Sequence, residues 1–380
     1  VSTSWASSRT GIVVTVEPVR PGLERPLAQS IGLGLRRNPK RAQLLVSSVL
    51  GKHVPVRASL CLRAGSTLAE AVRRVTDGPY DVLGFAETAT GLGHQVAHGL
   101  GAAMYLHTTR RPHPDHPRRS FLEEHSHAVD QALTPPPGAF TPFHVGVLVD
   151  DEISTGRTAL NAIAALHTGH STWVLASLLD TRSDADRDWC QKRAAELGIT
   201  LLEASLMTGS VTLADDSVQR AQAIAEATPL PTVLSGSGHA ETLRLDTHGI
   251  RTTARYGFTR ADDKALRSLA QQASGLLQHL EQPLVIGDEE LMYFPQLLAE
   301  QLGDALTCTT TRSPAVAIDQ DGYPLRTAVA FDSISEPGRL AYSYNTTDAR
   351  TVLLVTEDEV DDRGVLAAFP DAHVTVLTLR

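Results

Sequence analysis

Short apolar runs alternate along the chain with stretches whose apolar residues recur every three or four positions. The first pattern reads as buried strand and the second as amphipathic helix. It predicts strands at 11–16, 81–85, 103–107, 145–149, 174–179 and 200–203. Helices are predicted at 40–50, 93–100, 121–133, 158–166, 186–197 and 216–227. Strands and helices in this order make an α/β fold, a mostly parallel sheet covered by helices. Residues 110–119 hold three prolines and four arginines and read as a loop. Pro229 and Pro231 mark a boundary. The expected domains are 1–228 and a smaller second α/β domain, 229–380.

The second domain carries a worn copy of part of the first. Across the sixteen positions from Ala97 to Pro112, eight are identical in the block that ends at Pro314, including Thr-Thr-Arg. Gly84 and Glu87 fall on Gly287 and Glu290. Two unrelated strand–helix–strand segments with similar helices would share far fewer positions, which favours an internal repeat.

Composition narrows the function classes. The 380 residues carry 34 Lys+Arg against 43 Asp+Glu, for a net charge of −9, which counts against a protein that grips nucleic acid through its phosphates. No apolar run approaches the ~20 residues of a membrane-spanning helix. The first residues lack the basic and apolar segments of a secretory signal, so a cytoplasmic location is expected. Cys61, Cys190 and Cys308 are too scattered for a disulfide framework or a CxxC metal site. His107, His113 and His116 lack the spacing of a zinc site.

The strongest chemical signal lies at 145–158. An apolar strand delivers Asp150 and Asp151 to the carboxyl edge of a parallel sheet, where such sheets bind their ligands. The turn that follows, Ser154, Thr155, Gly156, Arg157 and Thr158, opens a helix. Its hydroxyls, backbone N–H groups and helix dipole suit a phosphate. Paired carboxylates beside such a turn fit a phosphorylated sugar. The plainer alternative is a strand end whose Ser154 caps the next helix, a task that needs one such residue and not five in order. An earlier strand-to-helix turn, Ala86, Glu87, Thr88, Ala89 and Thr90, offers more N–H groups to an anion. Gly91 and Gly93 alone make a weak dinucleotide fingerprint, because Val96 stands where the third glycine belongs.

The stretch 145–158 resembles the phosphoribosyl-diphosphate (PRPP) motif of type I phosphoribosyltransferases, with Gly146 and Glu152 as departures from the usual apolar residues. The resemblance implies that fold for the first domain. It also implies a Mg²⁺-dependent transfer of ribose 5-phosphate from PRPP to a small base-like acceptor, with diphosphate released. Asp150 and Asp151 would hold the ribose hydroxyls and, through ribose, diphosphate and water, the metal. Ser154 to Thr158 would hold the 5-phosphate, and Ala86 to Thr90 with Arg111 the diphosphate. Arg110, Arg111, Arg118 and Arg119 would neutralise the leaving group, with a solvated basic loop as the alternative for each of them except Arg110. Glu123 and His127, four apart on the predicted helix, are candidates for acid–base work, with an ordinary surface or core histidine as the alternative.

Arg37 to Arg41, Leu50 to His53 and Thr311-Arg-Ser-Pro314 resemble phosphoribosyltransferases with a C-terminal TRSP domain. That bacterial subfamily is associated with tellurium-resistance and stress gene neighbourhoods and with a nucleoside-like product. In the second copy, Val352 to Val355 is the counterpart strand, but Thr356-Glu-Asp-Glu359 replaces the phosphate turn. Glu289, Glu290, Tyr293 and Arg312 are acceptor candidates, with a structural ion-pair network as the competing account. No nucleic-acid or membrane partner is expected, and a homodimer is compatible with the resemblance. A PRPP-sensing regulator and a sugar-phosphate hydrolase remain the alternative functions.

Overall fold

The computed structural model describes residues 4–19, 30–38, 41–111, 119–122, 130–166, 168–235, 239–360 and 364–380, with backbone alone at 119–122, 130 and 131. Two large sheets organise these residues. The first runs Ile12–Pro18, Thr200–Leu213, Thr172–Asp180, Val145–Ile153, Tyr80–Gly84, Met104–His107 and Phe258–Thr259. Its two outermost strands are antiparallel to their neighbours and the rest are parallel. The second runs Glu241–Leu245, His373–Leu379, Thr351–Thr356, Leu284–Gly287, Leu306–Thr309 and Val56–Arg57, with only the last strand antiparallel. The mixed, mostly parallel α/β class follows directly.

The two sheets repeat one plan. In each, an antiparallel dipeptide strand leads into a long helix, Ala58–Val75 or Arg260–Leu276. A strand, a second helix (Ala89–Leu100 or Tyr293–Gln301) and another strand follow. Gly84 pairs with Val149 and Gly287 with Val355, so Val352 to Val355 takes the place of Val145 to Val149. The dipeptides are exchanged: Val56–Arg57 closes the second sheet and Phe258–Thr259 closes the first. The split at 228/229 therefore leaves each sheet with one strand from the other side. The four helices meet between the sheets within one continuous apolar core. Gly65 permits the close approach there, since a Cβ at that position would lie 2.5 Å from Gln95.

A reciprocal clasp joins the repeats. The Thr311 hydroxyl and the Arg312 N–H donate to Glu87 at 2.6 and 3.3 Å. In mirror fashion, the Thr109 hydroxyl and the Arg110 N–H donate to Glu290, both at 2.8 Å. Lys52 lies 3.4 Å from Glu87, and Arg255 lies 2.8 Å from Glu290. The shared Thr-Thr-Arg is thus the part of each repeat that the other repeat reads.

Several sequence expectations are corrected. The segment predicted as a helix at 40–50 forms the strand Gln43–Ser47, paired antiparallel with Ile31–Arg36. Its Leu44-Leu45-Val46 run is buried throughout, and so short a run fits either element until a partner strand decides. No helix spans 121–133, because Arg119–Leu122 and Asp130–Leu133 form an antiparallel pair. Glu123 and His127 lie outside the described residues, as do His113, His116 and Arg118. The strand at 200–203 continues to Leu213, where it pairs with Ile12–Pro18.

Burial raises the Glu290 carboxyl, but Arg255, His107 and Arg111 outweigh it and bring the pKa down to about 2. With the folded value below the unfolded ~4.3, its stabilisation is present above the unfolded pKa and lost as pH falls towards 2. Glu290→Ala should cost about 3–5 kcal/mol in urea unfolding at neutral pH, because Arg255 is left buried without this partner. Glu290→Gln should flatten the acid limb of stability against pH. A wild-type acid limb in either variant would refute this role.

Candidate active site

The strand Val145–Ile153 runs past its apolar half, so Asp150, Asp151 and Glu152 stand on the last strand residues at the sheet's carboxyl edge. The turn 154–156 then leads into the helix Arg157–Leu166. Gly156 has φ +78°, and a Cβ there would meet Cys190 Sγ at 2.4 Å, so both conformation and space demand glycine. Asp150 Oδ1 accepts the Asp151 N–H at 2.9 Å. Glu152, the extra acid of the motif, is held by Arg41, whose Nη2 lies 2.8 Å from both oxygens. Its charge is thereby committed to the β-hairpin 31–47 rather than left free for a ligand.

Beside it lies the turn after Tyr80–Gly84. The Ala86–Glu87 peptide is cis, and the Ala86 N–H donates to the Thr108 hydroxyl at 2.8 Å. Lys52 Nζ donates to Thr88 Oγ1 at 2.9 Å. Burial raises the Glu87 carboxyl, but Lys52, Arg110 and the Thr311 bond outweigh it and leave the pKa below the usual range. Glu87 is therefore an anion fixed beneath the turn.

These two turns face one cavity of about 260 Å³. Asp150, Asp151, Ser154, Thr155, Gly156 and Thr158 line one part of it. Ala86, Glu87, Thr88 and Arg110 line another. The remaining wall combines Lys52, His53 and the hairpin residues Arg36 and Arg41 with Arg312, Ser313 and Pro314 of the second repeat. The cavity therefore forms only where both halves meet. Among the described residues no cluster of three or more His, Cys, Asp or Glu side chains could hold a metal by itself.

Other expected site residues sit elsewhere. Arg157 turns away and lies over the Trp189 ring at 4.4 Å. Ala89 and Thr90 are buried in the first turn of the helix Ala89–Leu100. Arg111 points into the second repeat, 2.7 Å from Asp288 and 3.4 Å from Asp358. Glu290 belongs to the clasp. Tyr293 is buried, donates to Asp263 at 2.8 Å and stacks on His94 at 4.6 Å. Glu289 and Arg312 form a 2.5 Å ion pair, and only Arg312 reaches the cavity. Sequence reasoning assigned no role to Lys52, His53, Arg36 or Arg41, although two of the segments quoted for the resemblance contain or border them.

Residues 31–210 match the family model described as phosphoribosyl transferase, and residues 252–371 match the TRSP domain found C-terminal to that transferase. The chain is similar to phosphoribosyl transferases that carry a TRSP domain. Among solved structures, it is similar to adenine phosphoribosyltransferase from Rhodothermus marinus, with 20% identity over 47% of this chain and 96% of that one and a TM-score of 0.34. The Trypanosoma brucei enzyme, solved with AMP, pyrophosphate and ribose-5-phosphate, shares 14% identity over 50% of this chain and 86% of its own, with a TM-score of 0.35. The Leishmania donovani enzyme shares 17% identity over 53% and 88%, with a TM-score of 0.36. No curated protein sequence matches the chain. The first match covers both cavity-facing turns, and the TRSP match covers Arg312 to Pro314.

Gly156→Ala should lower stability by about 1–3 kcal/mol, because a strained backbone and an overpacked contact add. Thermal unfolding of the variant against wild type measures this. An unchanged Tm would show that the turn relaxes freely.

Proposed function

We propose that the chain is a phosphoribosyltransferase that moves ribose 5-phosphate from PRPP to a small base-like acceptor and releases diphosphate. One observation carries this reading: a single cavity gathers the Asp150–Asp151 pair, the 154–158 turn at a helix N-terminus and the 86–88 turn. The N–H groups and hydroxyls of Ser154, Thr155, Gly156 and Thr158 suit the 5-phosphate. Arg157 contributes its backbone alone. Asp150 and Asp151 suit the ribose 2- and 3-hydroxyls and keep the anomeric carbon oriented, which reduces the entropy lost on reaching the transition state.

The 86–88 turn, backed by Lys52 and Arg110, suits the diphosphate as charge develops on it. Arg111 leaves this set because the second repeat's acids hold it. The donors fit Mg²⁺, which takes oxygen ligands from one or two carboxylates plus substrate phosphates. When bound, the metal supplies positive charge to the diphosphate oxygens. Of the four acceptor candidates we retain Arg312. Glu289 orients it, and Glu290 and Tyr293 have structural tasks. A nucleoside-like product and a place in tellurium or stress physiology rest on the sequence resemblance.

Diphosphate release from PRPP with Mg²⁺, measured across a panel of heterocycles, tests the reaction. The Asp150→Asn/Asp151→Asn chain should lose about 100-fold or more in kcat/KM. Acceptor-independent release would instead favour a hydrolase. Tight PRPP binding without release would favour a sensor. Arg312→Ala should raise the acceptor KM about tenfold, and an unchanged KM would remove Arg312 from the acceptor site.

A further inference from the structure

His53 lines the same cavity, yet neither repeat's clasp nor the two anion-binding turns use its ring. The residue is only 5% exposed, and its Nε2 is buried without a hydrogen-bond partner. Buried polar atoms are almost always satisfied, so this orphan on a residue that lines the cavity marks a ring the protein itself does not use.

The ring is held in place rather than loose. It packs edge-on against Tyr344 with centroids 5.4 Å apart, and the His53 carbonyl accepts from Asn345 Nδ2 at 3.0 Å. Tyr344 in turn donates its hydroxyl to the Ser313 carbonyl at 2.9 Å and accepts the Ala315 N–H at 2.7 Å. The orientation of His53 is therefore set by the TRSP unit, next to Ser313 and Pro314 on the same wall. Burial, with Lys52 and Arg36 nearby, holds the imidazole well below its ordinary pKa. A neutral imidazole presents one N–H and one lone pair in the ring plane, a match for the edge of a heterocycle. The same two cations disfavour a positively charged partner.

We propose that His53 is an acceptor-binding residue, its imidazole hydrogen-bonded to the ring edge of an uncharged or anionic nitrogen heterocycle seated against the Ser313–Pro314 wall. This deepens the transferase reading and rests on it for the name of the ligand. It assigns the TRSP unit a direct part in selecting the acceptor. PRPP has its own partners in the two turns and the acid pair, so His53 should matter little to it.

The test uses the full chain, wild type, His53→Ala and His53→Gln. Calorimetry measures binding of PRPP and, separately, of adenine, guanine, uracil and nicotinate. Diphosphate release is followed with the same four. The expected result is a PRPP Kd within about twofold of wild type and a loss of about tenfold or more in affinity and KM for the preferred heterocycle in His53→Ala. Added imidazole should recover part of that loss, which a purely structural role would not allow. Intact PRPP binding certifies the fold, and His53→Gln replaces the alanine variant if that chain fails to fold.

Equal weakening of PRPP and heterocycle, unchanged heterocycle affinity, or a wild type that binds none of the four would overturn the proposal. Release that is insensitive to His53 leaves the transferase standing without this residue. His53-dependent heterocycle binding without release leaves the subsite standing and removes the transferase.

Discussion

Two buried carboxylates, Glu87 and Glu290, govern how this molecule is put together. A carboxylate out of water needs donors on most of its lone pairs. Here the hydroxyl and backbone N–H that satisfy each one come from the opposite repeat. Docking the halves and desolvating the two acids are therefore one event. The same bonds fix the backbone at Arg110 and Arg312, both of which line the cavity. The walls of the site are in this sense a by-product of solvating two glutamates with protein.

The repeat shows how one plan can serve opposite electrostatics. Phe85 and Ala86 precede Glu87 in the first repeat, whereas Asp288 and Glu289 precede Glu290 in the second. Asp150, Asp151 and Glu152 have Thr356, Glu357 and Asp358 as counterparts, without the hydroxyl-rich turn that follows the first set. At the second edge Arg111 sits among Asp288, Glu357 and Asp358 and occupies the acids that surround it. Burial and the neighbouring Asp288 raise the Glu289 carboxyl, a sign of crowded negative charge. Crowded negative charge makes the second edge a poor place for an anion.

The parallel strands and the acid–hydroxyl motif were legible because periodicity and local turn chemistry encode them. The Thr-Thr-Arg match was legible, and its reason lay in contacts between residues 180 to 225 positions apart in sequence. What escaped depends on such distant partners. Gln43–Ser47 becomes a strand through Ile31–Arg36. Arg111 goes to the second repeat because Asp288 is there, and Tyr293 goes inward because Asp263 and His94 receive it. Lys52 and His53 sit in a segment that carries the resemblance, yet only the folded wall gives them neighbours.

The exchanged dipeptides set the order in which the protein can be completed during synthesis. The first sheet gains its last strand only with Phe258–Thr259, 45 residues beyond Leu213, where the last of its own strands ends. Val56 and Arg57 wait longer, for Leu306 and Thr307. Until then the first sheet keeps an open flank and the Val56–Arg57 dipeptide lacks its partner, and both closures must span long stretches of chain, the kind of contact that slows folding and favours premature association. A ribosome making this chain holds an unfinished first sheet together with an unpaired edge strand of the second.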